Sequence, residues 1–420
     1  MDNASTTTTK RRRWLPRFSL RTLLLSSLLI GSGTTLWWHW EPWQNQWTSE
    51  CLPHAIWNTA FSSDNQYIQS TCESCTWVWS IRTGERLCGI SPPQGSGFFN
   101  TVMSPDPTRI LTISRRGEAR LSVLPTGLQV LDFVEQLEYH PPPVFSSDSK
   151  RIVAINKDGV GCTWDAETGT LIQKWQSLAV SPMDNFNQLL LANDDKHVFV
   201  SKSGLACIYD SITGKCEKTL NDVDWYNVKV AIFNPSNWKE ILILADMHDT
   251  AQLWNWPDSR MLHSFPSEGM LRAMAFSADG KIVTISDKSF SVWDLKSNRP
   301  KMTINGDFHK TTLLSIPTDF CRAIIASNDT TVQIRDLGTG AVLNTLGVST
   351  LPRSRGYHNC ASATANGQFI ATASEDHRVT VWSRRRPEYW WGLAWLPEFW
   401  LTLVVSAAFA WSAWRERTAI

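Results

Sequence analysis

Two cysteines three residues apart, Cys72 and Cys75, form the only close pair of cysteines in the sequence. A zinc half-site would need a second such pair or two histidines at ligand spacing, and the sequence has neither. A redox pair of this spacing would stand at a helix N-terminus, whereas these cysteines fall between two predicted strands. We interpret them as buried thiols. A local disulfide outside the cytoplasm is the first alternative, and a catalytic or metal-binding role is the second.

Other catalytic or cofactor-binding signatures are missing from the sequence. It has no P-loop, no His-Glu-x-x-His, no Gly-x-Ser-x-Gly and no glycine-rich nucleotide loop. His248-Asp249 and Asp376-His377 stand at similar predicted turns, but in distant parts of the chain, so we interpret them as exposed loop residues. The sequence therefore predicts no catalytic residue, no metal site and no cofactor.

Charge is nearly balanced over the chain, with 40 basic and 39 acidic residues and a net charge of +1. A nucleic-acid binder carries a basic footprint, which this chain lacks, so we expect no nucleic-acid partner. The local basic runs, residues 10–13 and 384–386, each stand beside an apolar segment. That arrangement favours a membrane surface.

One short pattern recurs along the chain and indicates its secondary-structure elements. It is a β-type run that ends in an aromatic residue and a small or acidic residue, often followed by Thr-Gly. The interval is roughly 40–45 residues, and the copies are centred on Trp79, Val123, Trp164, Tyr209, Trp254, Trp293, Arg335 and Trp382. The copy at Val123 is the weakest, so eight units are favoured and seven remain possible.

This period and its Trp-Asp signature resemble the WD40-repeat family, whose members form β-propellers of four-stranded blades. The resemblance implies an all-β fold with a single WD40-like propeller over residues 48–383. The last blade lacks an outermost strand of its own, and a segment near residues 43–50 is expected to supply it. With its apolar ends, the chain is most similar to a membrane-anchored, bacterial member of the family.

The family also has a buried hydrogen-bond chain of His, Ser or Thr, a turn Asp and the signature Trp. The Gly-His that begins this chain is nearly absent here, and His309 and His358 are its best remnants. The resemblance assigns the following residues to a structural blade network: His358, Thr372, Ser374, Asp376, Trp382, Asp287, Trp293, Asp158 and Trp164. Because buried polar groups need partners, we interpret these residues as structural rather than as a site.

The N-terminal end predicts a membrane anchor. Residues 22–40 contain no charged side chain and are long enough to span a bilayer as a transmembrane helix. Six basic residues within the tail 1–21 precede them, so the positive-inside rule puts this tail in the cytoplasm and the propeller on the extracytoplasmic side. A cleaved signal peptide is the alternative.

The C-terminal end predicts a second membrane-associated segment over residues 389–414, with a transmembrane helix at about 397–414. The alternative is a helix that lies on the bilayer. The 23 tryptophans of the chain concentrate at these two ends, as expected for interfacial side chains. With two spans the basic run 384–386 would lie outside, against the positive-inside trend. The reverse topology would put the six N-terminal cations outside, which departs further from the positive-inside trend.

Taken together, these patterns predict a noncatalytic, membrane-anchored propeller that serves as a protein–protein interaction scaffold, with protein partners and the lipid bilayer as its contacts. The candidate contact loops are residues 91–98, 136–143 and 347–357. One alternative is an extracytoplasmic receptor or a quinoprotein-like enzyme that uses the central channel. Thr168-Gly169 followed by Trp175 resembles the quinoprotein motif, although the Trp comes late and no other unit repeats it. Another alternative is a cytoplasmic adaptor of opposite topology.

Overall fold

Strands make up nearly all of the regular structure in the computed structural model. It describes residues 27–28, 43–92, 97–133, 135–138, 141–175, 186–202, 205–220, 228–245, 250–277, 280–295, 299–308, 311–316, 322–327, 331–347, 361–374, 376–384, 399–400, 402–407 and 411. The chain divides into two units, Met1–Pro42 with Arg385–Ile420, and Trp43–Arg384. Within the described part, every strand belongs to the second unit.

The first half of this unit begins with β1 (Trp43–Thr48) and continues with four antiparallel sheets, the blades, each of four strands numbered from the inside outward. Blade 1 has β2 (Ile56–Phe61), β3 (Tyr67–Cys72), β4 (Thr76–Ser80) and β5 (Arg86–Ile90); blade 2 has β6 (Phe98–Met103), β7 (Arg109–Ser114), β8 (Ala119–Val123) and β9 (Leu128–Asp132); blade 3 has β10 (Val144–Phe145), β11 (Arg151–Ile155), β12 (Gly161–Asp165) and β13 (Leu171–Lys174); blade 4 has β14 (Phe186–Leu191), β15 (His197–Lys202), β16 (Leu205–Asp210) and β17 (Cys216–Leu220).

The second half repeats this order in four further blades. Blade 5 has β18 (Val228–Asn234), β19 (Asn237–Ala245), β20 (Thr250–Asn255) and β21 (Arg260–Pro266); blade 6 has β22 (Leu271–Phe276), β23 (Ile282–Ser286), β24 (Ser289–Trp293) and β25 (Pro300–Asn305); blade 7 has β26 (Thr311–Ser315), β27 (Arg322–Ser327), β28 (Thr331–Asp336) and β29 (Val342–Gly347); blade 8 has β30 (Ala361–Ala363), β31 (Phe369–Ala373) and β32 (Val379–Arg384). The all-β propeller of eight blades is thus confirmed, and the unit at Val123 is a regular blade.

The core is divided among the seams between blades. The buried apolar residues form eight clusters, and each cluster joins two neighbouring blades. On β11, Ile152 and Ala154 pack toward blade 2, while Val153 and Ile155 pack toward blade 4. Because successive strand residues point to opposite faces, the second strands read as continuous apolar runs.

The ring closes through β1, which pairs antiparallel with β32 as the outermost strand of blade 8. The segment near residues 43–50 therefore supplies the missing strand, as the sequence predicts. The propeller unit begins at Trp43 rather than at residue 48, and it ends at Arg384. Trp43 and Trp47 accordingly belong to the last blade and not to a membrane-facing end.

The two expected terminal helices are described only in fragments. Helical residues are found at 27–28, 399–400, 402–407 and 411. The tail 1–21, most of 22–40 and most of 389–414 lie outside the described residues. In the part of the chain that is described, no helix is both long enough and apolar enough to cross a membrane.

Trp47 anchors the closing strand, and its removal tests the closure. Its Nε1 donates to Ile81 O at 2.8 Å, and its ring lies 6.1 Å from that of Trp79, between blades 8 and 1. We expect Trp47→Ala to lower the free energy of unfolding by about 2–4 kcal/mol, because it removes both the packing and the hydrogen bond.

The measurement is urea denaturation of the full chain. Trp47→Phe is the matched control, since it loses the N–H group but keeps an aromatic ring and much of the packing, so its destabilisation should be clearly smaller. An unchanged midpoint for Trp47→Ala would mean that β1 does not hold the ring closed.

Candidate functional site

The two ends of every blade differ in how they are connected. In an up-and-down blade, the turns between strands one and two and between strands three and four lie at one end, which we call the hairpin face. The turns between strands two and three and the blade-to-blade connections lie at the other end, which we call the connection face. All three candidate contact loops, 91–98, 136–143 and 347–357, join an outer strand to the next inner strand. The strand ends that these loops join are therefore at the connection face, and residues 93–96, 139–140 and 348–357 lie outside the described residues.

The hairpin face uses its polar side chains for structure. In blades 1 and 3 a serine hydroxyl donates to the aspartate two residues on, Ser62 to Asp64 and Ser146 to Asp148, each at 2.6 Å. The hydrogen bond from Ser146 is the main cause that holds the pKa of Asp148 below its usual value. Such Ser-x-Asp turns are local closures of the chain rather than ligand sites.

Hydrogen bonds also tie these turns to the turns of the next blade. The bonds that cross from blades 2 to 3, 3 to 4 and 4 to 5 are Asp106 N to Ser149 Oγ at 2.9 Å, Ser147 N to Asp195 Oδ1 at 2.7 Å, and Asn193 Nδ2 to Pro235 O at 2.9 Å. Polar groups that already have partners gain little from a further ligand. The polar groups of the hairpin face therefore serve to connect neighbouring blades.

His197 joins blades 4 and 5 at this face, a role that the repeat pattern does not indicate. Its Nδ1 hydrogen-bonds Asp194, and its Nε2 lies 2.9 Å from Glu217 Oε2. The ring stacks on Trp238 of blade 5 with a centroid distance of 4.4 Å and also lies 5.0 Å from Trp256. Both ring nitrogens and one ring face are thus used in a buried joint.

Three signature tryptophans, those of blades 1, 6 and 8, donate to hydroxyl groups on the neighbouring strand, whereas Trp254 of blade 5 donates to Gln252 Oε1 on its own strand. Trp293 Nε1 donates to Thr284 Oγ1 at 2.9 Å, and Trp382 Nε1 donates to Thr372 Oγ1 at 3.2 Å. In each case the acceptor lies two residues beyond the strand partner of the Trp, which is an isoleucine. In blade 1, Trp79 donates to Ser70 in the same way at 2.9 Å.

Blade 3 departs from this rule at Trp164. The residue in the acceptor position is Ala154, which has no hydroxyl group. Trp164 is buried and instead makes an edge contact with Phe133 at 6.1 Å. In the same blade the Asp158 side chain is exposed, and Asn156 Oδ1 accepts hydrogen bonds from the N–H groups of Asp158 and Val160. Asn156 is thus a turn residue that the family pattern does not indicate.

The other assigned residues form separate pairs. Ser374 donates to Asp376 at a turn of blade 8. Asp287 accepts from the Arg272 guanidinium, with Nη2 to Oδ2 at 3.0 Å. His358 lies outside the described residues. The structure therefore brings together Trp382 with Thr372 and Ser374 with Asp376 as two local pairs.

Trp175, the residue that suggests a quinoprotein motif, is buried between blades 3 and 4. Its Nε1 donates to Thr163 Oγ1 at 3.1 Å, and its ring stacks on Tyr209 at 5.6 Å. A Cβ on Gly161 would lie 2.1 Å from this ring, so the glycine makes room for it. The contacts with Thr163 and Gly161 lie within blade 3, and the stacking on Tyr209 joins this blade to blade 4, so Trp175 is a structural residue.

Bulges on the inner strands distinguish the connection face. In five blades the second residue of the inner strand is an extra residue in the ladder, and these residues are Trp57, Phe99, Asn187, Lys229 and Arg272. A bulge re-aims a side chain and is frequent beside binding sites. Because a bulge depends on the register of two strands, the sequence pattern alone does not predict it.

One bulge residue begins a surface cluster that we call the Trp57 cluster: Trp57, Glu73, Gly97 and Arg115. The Arg115 guanidinium lies 5.2 Å from the centre of the Trp57 ring and 3.4 Å from Glu73 Oε1. Arg115 N donates to Gly97 O at 3.0 Å. The Arg115 and Glu73 side chains are each 52% exposed. The cluster therefore joins turns of blades 1 and 2 to the connection 91–98.

Polar contacts around the inner strands continue through blades 4 to 6. Gln188 Nε2 donates to Lys229 O at 3.0 Å, and Lys229 Nζ donates to Leu271 O at 3.3 Å. The next residue, Arg272, pairs with Asp287, and this pairing raises the pKa of Arg272. Among the described residues, Asn187 Nδ2 and Ser201 Oγ are buried polar atoms without a hydrogen-bond partner.

Cys72 and Cys75 close the turn between β3 and β4, beside the Trp57 cluster. Both are buried, and their Sγ atoms are 3.6 Å apart. The hydrogen bond with Cys75 lowers the pKa of Cys72 to about 5, while the same contact and burial raise the pKa of Cys75. In the described part of the chain, no group of three His, Cys, Asp or Glu side chains is placed to hold a metal ion.

Comparison with solved structures assigns the fold. The chain superposes on the computationally designed Ika8 protein with a TM-score of 0.66 at 18% identity, over 81% of this chain and 99% of that one. It superposes on the C-terminal WD40 domain of Sif2 with a TM-score of 0.63 at 17% identity, over 82% of this chain and 99% of that one. The chain has the WD40 β-propeller fold. At such identities these likenesses establish the fold alone.

Comparison with known sequences is less informative than comparison with solved structures. No protein-family model matches the chain. It is 22% identical to Autophagy-related protein 16 of Arabidopsis thaliana over 245 residues. This matched stretch covers 57% of this chain and 46% of that protein. The chain thus spans less than half the length of this relative.

The pairing of Trp293 with Thr284 predicts the effect of removing the hydroxyl group. Thr284→Val would leave the buried Trp293 N–H without an acceptor, so we expect a loss of about 1–3 kcal/mol in the free energy of unfolding. Thr284→Ser, which keeps the hydroxyl, should lose clearly less. Urea denaturation of both variants measures the difference. A larger loss for Thr284→Ser than for Thr284→Val would show that packing of the methyl group, and not the hydrogen bond, stabilises this position.

Proposed function

We propose that this chain is a noncatalytic, membrane-anchored scaffold whose WD40 propeller binds a protein partner at the connection face, through the Trp57 cluster. The observation that carries the proposal is the half-exposed Arg115, which stacks on Trp57 and pairs with Glu73. Tryptophan and arginine are the residues that most often dominate binding energy at protein interfaces. An exposed ion pair contributes little to stability, so Arg115 and Glu73 can exchange their pairing for contacts with a partner at little cost.

The choice of face follows from how the two ends of the blades are built. On the hairpin face, the serine and aspartate side chains of blades 1 to 4 close turns or bond to the next blade. The connection face carries the long loops, which can vary without disturbing the seams between blades. Binding there requires no change in the core.

Membrane anchoring is supported by the sequence of the two ends. The uncharged run 22–40, the basic tail 1–21 and the Trp-rich segment 389–414 favour contact with a lipid bilayer and an extracytoplasmic propeller. An anchor would hold the propeller at the membrane surface and raise the effective concentration of a membrane-resident partner. The partner is therefore expected to be a protein of the same membrane.

Partner capture tests the interaction surface. We expect Arg115→Ala and Trp57→Ala to reduce recovery of the partner at least tenfold in quantitative pull-downs from native membranes in mild detergent, which corresponds to loss of about 1.4 kcal/mol or more. Arg116→Ala is the matched control, because Arg116 is the exposed neighbour of Arg115 and has no place in the Trp57 cluster. It should capture the partner as well as the unchanged chain does.

Two outcomes would contradict this proposal. Undiminished capture by Arg115→Ala and Trp57→Ala would move the interface elsewhere. Recovery of no specific protein, together with turnover of a small molecule, would replace the scaffold with an enzyme.

Topology is tested with a reporter that is active only in the cytoplasm. Fused after Arg21, at the end of the basic tail, it should be active; fused after Glu41, beyond the expected anchor, it should be inactive, because the positive-inside rule keeps the basic tail in the cytoplasm. Activity at both positions would support a cytoplasmic adaptor instead.

A second candidate function is a receptor that binds a polar ligand in the central channel. Lys229, Arg272 and the buried Asn187 Nδ2, which has no partner among the described residues, favour it. Binding assays on the same variants separate the two functions, with the pull-down reporting a protein partner and ligand binding measured directly on the purified chain. Binding at the channel should respond to Lys229→Met and not to Arg115→Ala, whereas binding at the Trp57 cluster should do the reverse.

A further inference from the structure

We propose that Cys72 and Cys75 are a reversible redox pair, which hydroperoxides oxidise to an intramolecular disulfide across the turn between β3 and β4 and thiol reductants reopen. The two cysteines are the ends of a four-residue turn, and Cys72 N donates to Cys75 O at 2.9 Å. Formation of the disulfide does not depend on the proposed scaffold function.

The backbone geometry of the turn suits a disulfide. The adjacent residues Thr71 and Thr76 are direct strand partners, so Cys72 and Cys75 face each other as the next pair of the ladder. Directly opposed, hydrogen-bonded residues have Cα atoms about 5.5 Å apart, within the range of about 4.4–6.8 Å that disulfides need. From a separation of 3.6 Å, the two Sγ atoms reach bonding distance by side-chain rotation.

The two thiols also differ in acidity, as the reaction requires. The hydrogen bond with Cys75 lowers the pKa of Cys72 to about 5, which favours its thiolate form, and thiolates are the nucleophiles toward peroxides. Cys75 keeps its proton, since the negative charge of Cys72 is one cause of its raised pKa. That charge disappears when Cys72 is oxidised, which frees Cys75 to act as the second nucleophile.

The steps balance with a hydroperoxide as the oxidant. The Cys72 thiolate attacks one peroxide oxygen, the O–O bond breaks, and the leaving alkoxide takes a proton from solvent to give an alcohol. Cys72 is then a sulfenic acid. The Cys75 sulfur attacks the Cys72 sulfur, the S–O bond breaks, and the departing hydroxide combines with the Cys75 proton as water. Two thiols and one hydroperoxide give one disulfide, one alcohol and one water.

The pair lies directly beneath a surface turn: Cys72 is fully buried and Cys75 is 6% exposed, so the oxidant must reach them by local opening of this turn. The two residues between the cysteines are at the surface: Glu73 is exposed and Ser74 is half-buried. Cys162 provides a contrast within the same chain. It is buried beside Glu135, with Sγ 3.8 Å from Oε2, and burial followed by this carboxylate raises its pKa to about 12. Cys162 should therefore resist the same oxidant.

Oxidation would act on the Trp57 cluster through Glu73, which lies within the turn and pairs with Arg115. A disulfide fixes the two ends of this turn and so constrains the Glu73 carboxylate. Any effect of oxidation on partner binding rests on the proposed function, whereas the covalent change can be measured without a partner.

The test is cysteine mapping by mass spectrometry on the unchanged full chain. The protein is treated with hydrogen peroxide, denatured, alkylated with N-ethylmaleimide and digested. We expect the peptide with Cys72 and Cys75 to lose two hydrogens and remain unlabelled, and dithiothreitol before alkylation to restore both labels. Cys162 should be labelled equally with and without peroxide.

Two variants assign the roles within the pair. Cys75→Ser should trap Cys72 as a sulfenic acid, detected with a dimedone probe, because no resolving thiol remains. Cys72→Ser should leave Cys75 reduced. The proposal is overturned if peroxide leaves Cys72 and Cys75 of the unchanged chain fully labelled, or if dithiothreitol does not restore the labels. Failure of partner capture, by contrast, would leave this result intact.

Discussion

The structure depends on one constraint: each sheet buries both of its faces against neighbouring sheets. The eight apolar clusters lie between blades, so every blade shares its core with two others. A single blade would expose both faces to water and could not be stable alone. Closure of the ring by β1 is therefore as important as any blade, because an open ring would expose two apolar faces.

This constraint explains why so much of the fold can be predicted from the sequence. Strands that are buried on both faces read as apolar runs, such as Arg151–Ile155, and they return at a fixed interval with their turns. Eight blades and the origin of the closing strand follow from that repetition. The terminal segments lack such a repeat, and their expected membrane helices remain predictions.

The candidate site was less predictable, for a physical reason. A bulge such as that at Trp57 exists only in the register between two strands, and the Trp57 cluster joins residues of two blades and a connection. The His197 joint likewise draws its aromatic partners from the next blade. Even the signature tryptophans find their acceptors by register, since the residue two beyond the strand partner decides whether a hydroxyl is present. Blade 3, where Ala154 occupies this position, shows that a blade can form without the hydroxyl group.

Closure by β1 has a mechanical consequence. Trp43 and Arg384 are paired at the same end of β1 and β32, so both ends of the propeller unit leave the ring at one point. The hydrogen bonds of an antiparallel pair run perpendicular to the strands. A pull that separates the two ends would load these bonds one after another, as in opening a zip, and not all together in shear. Tension on the flanking segments would thus open the ring at this strand pair before it disturbed any other blade.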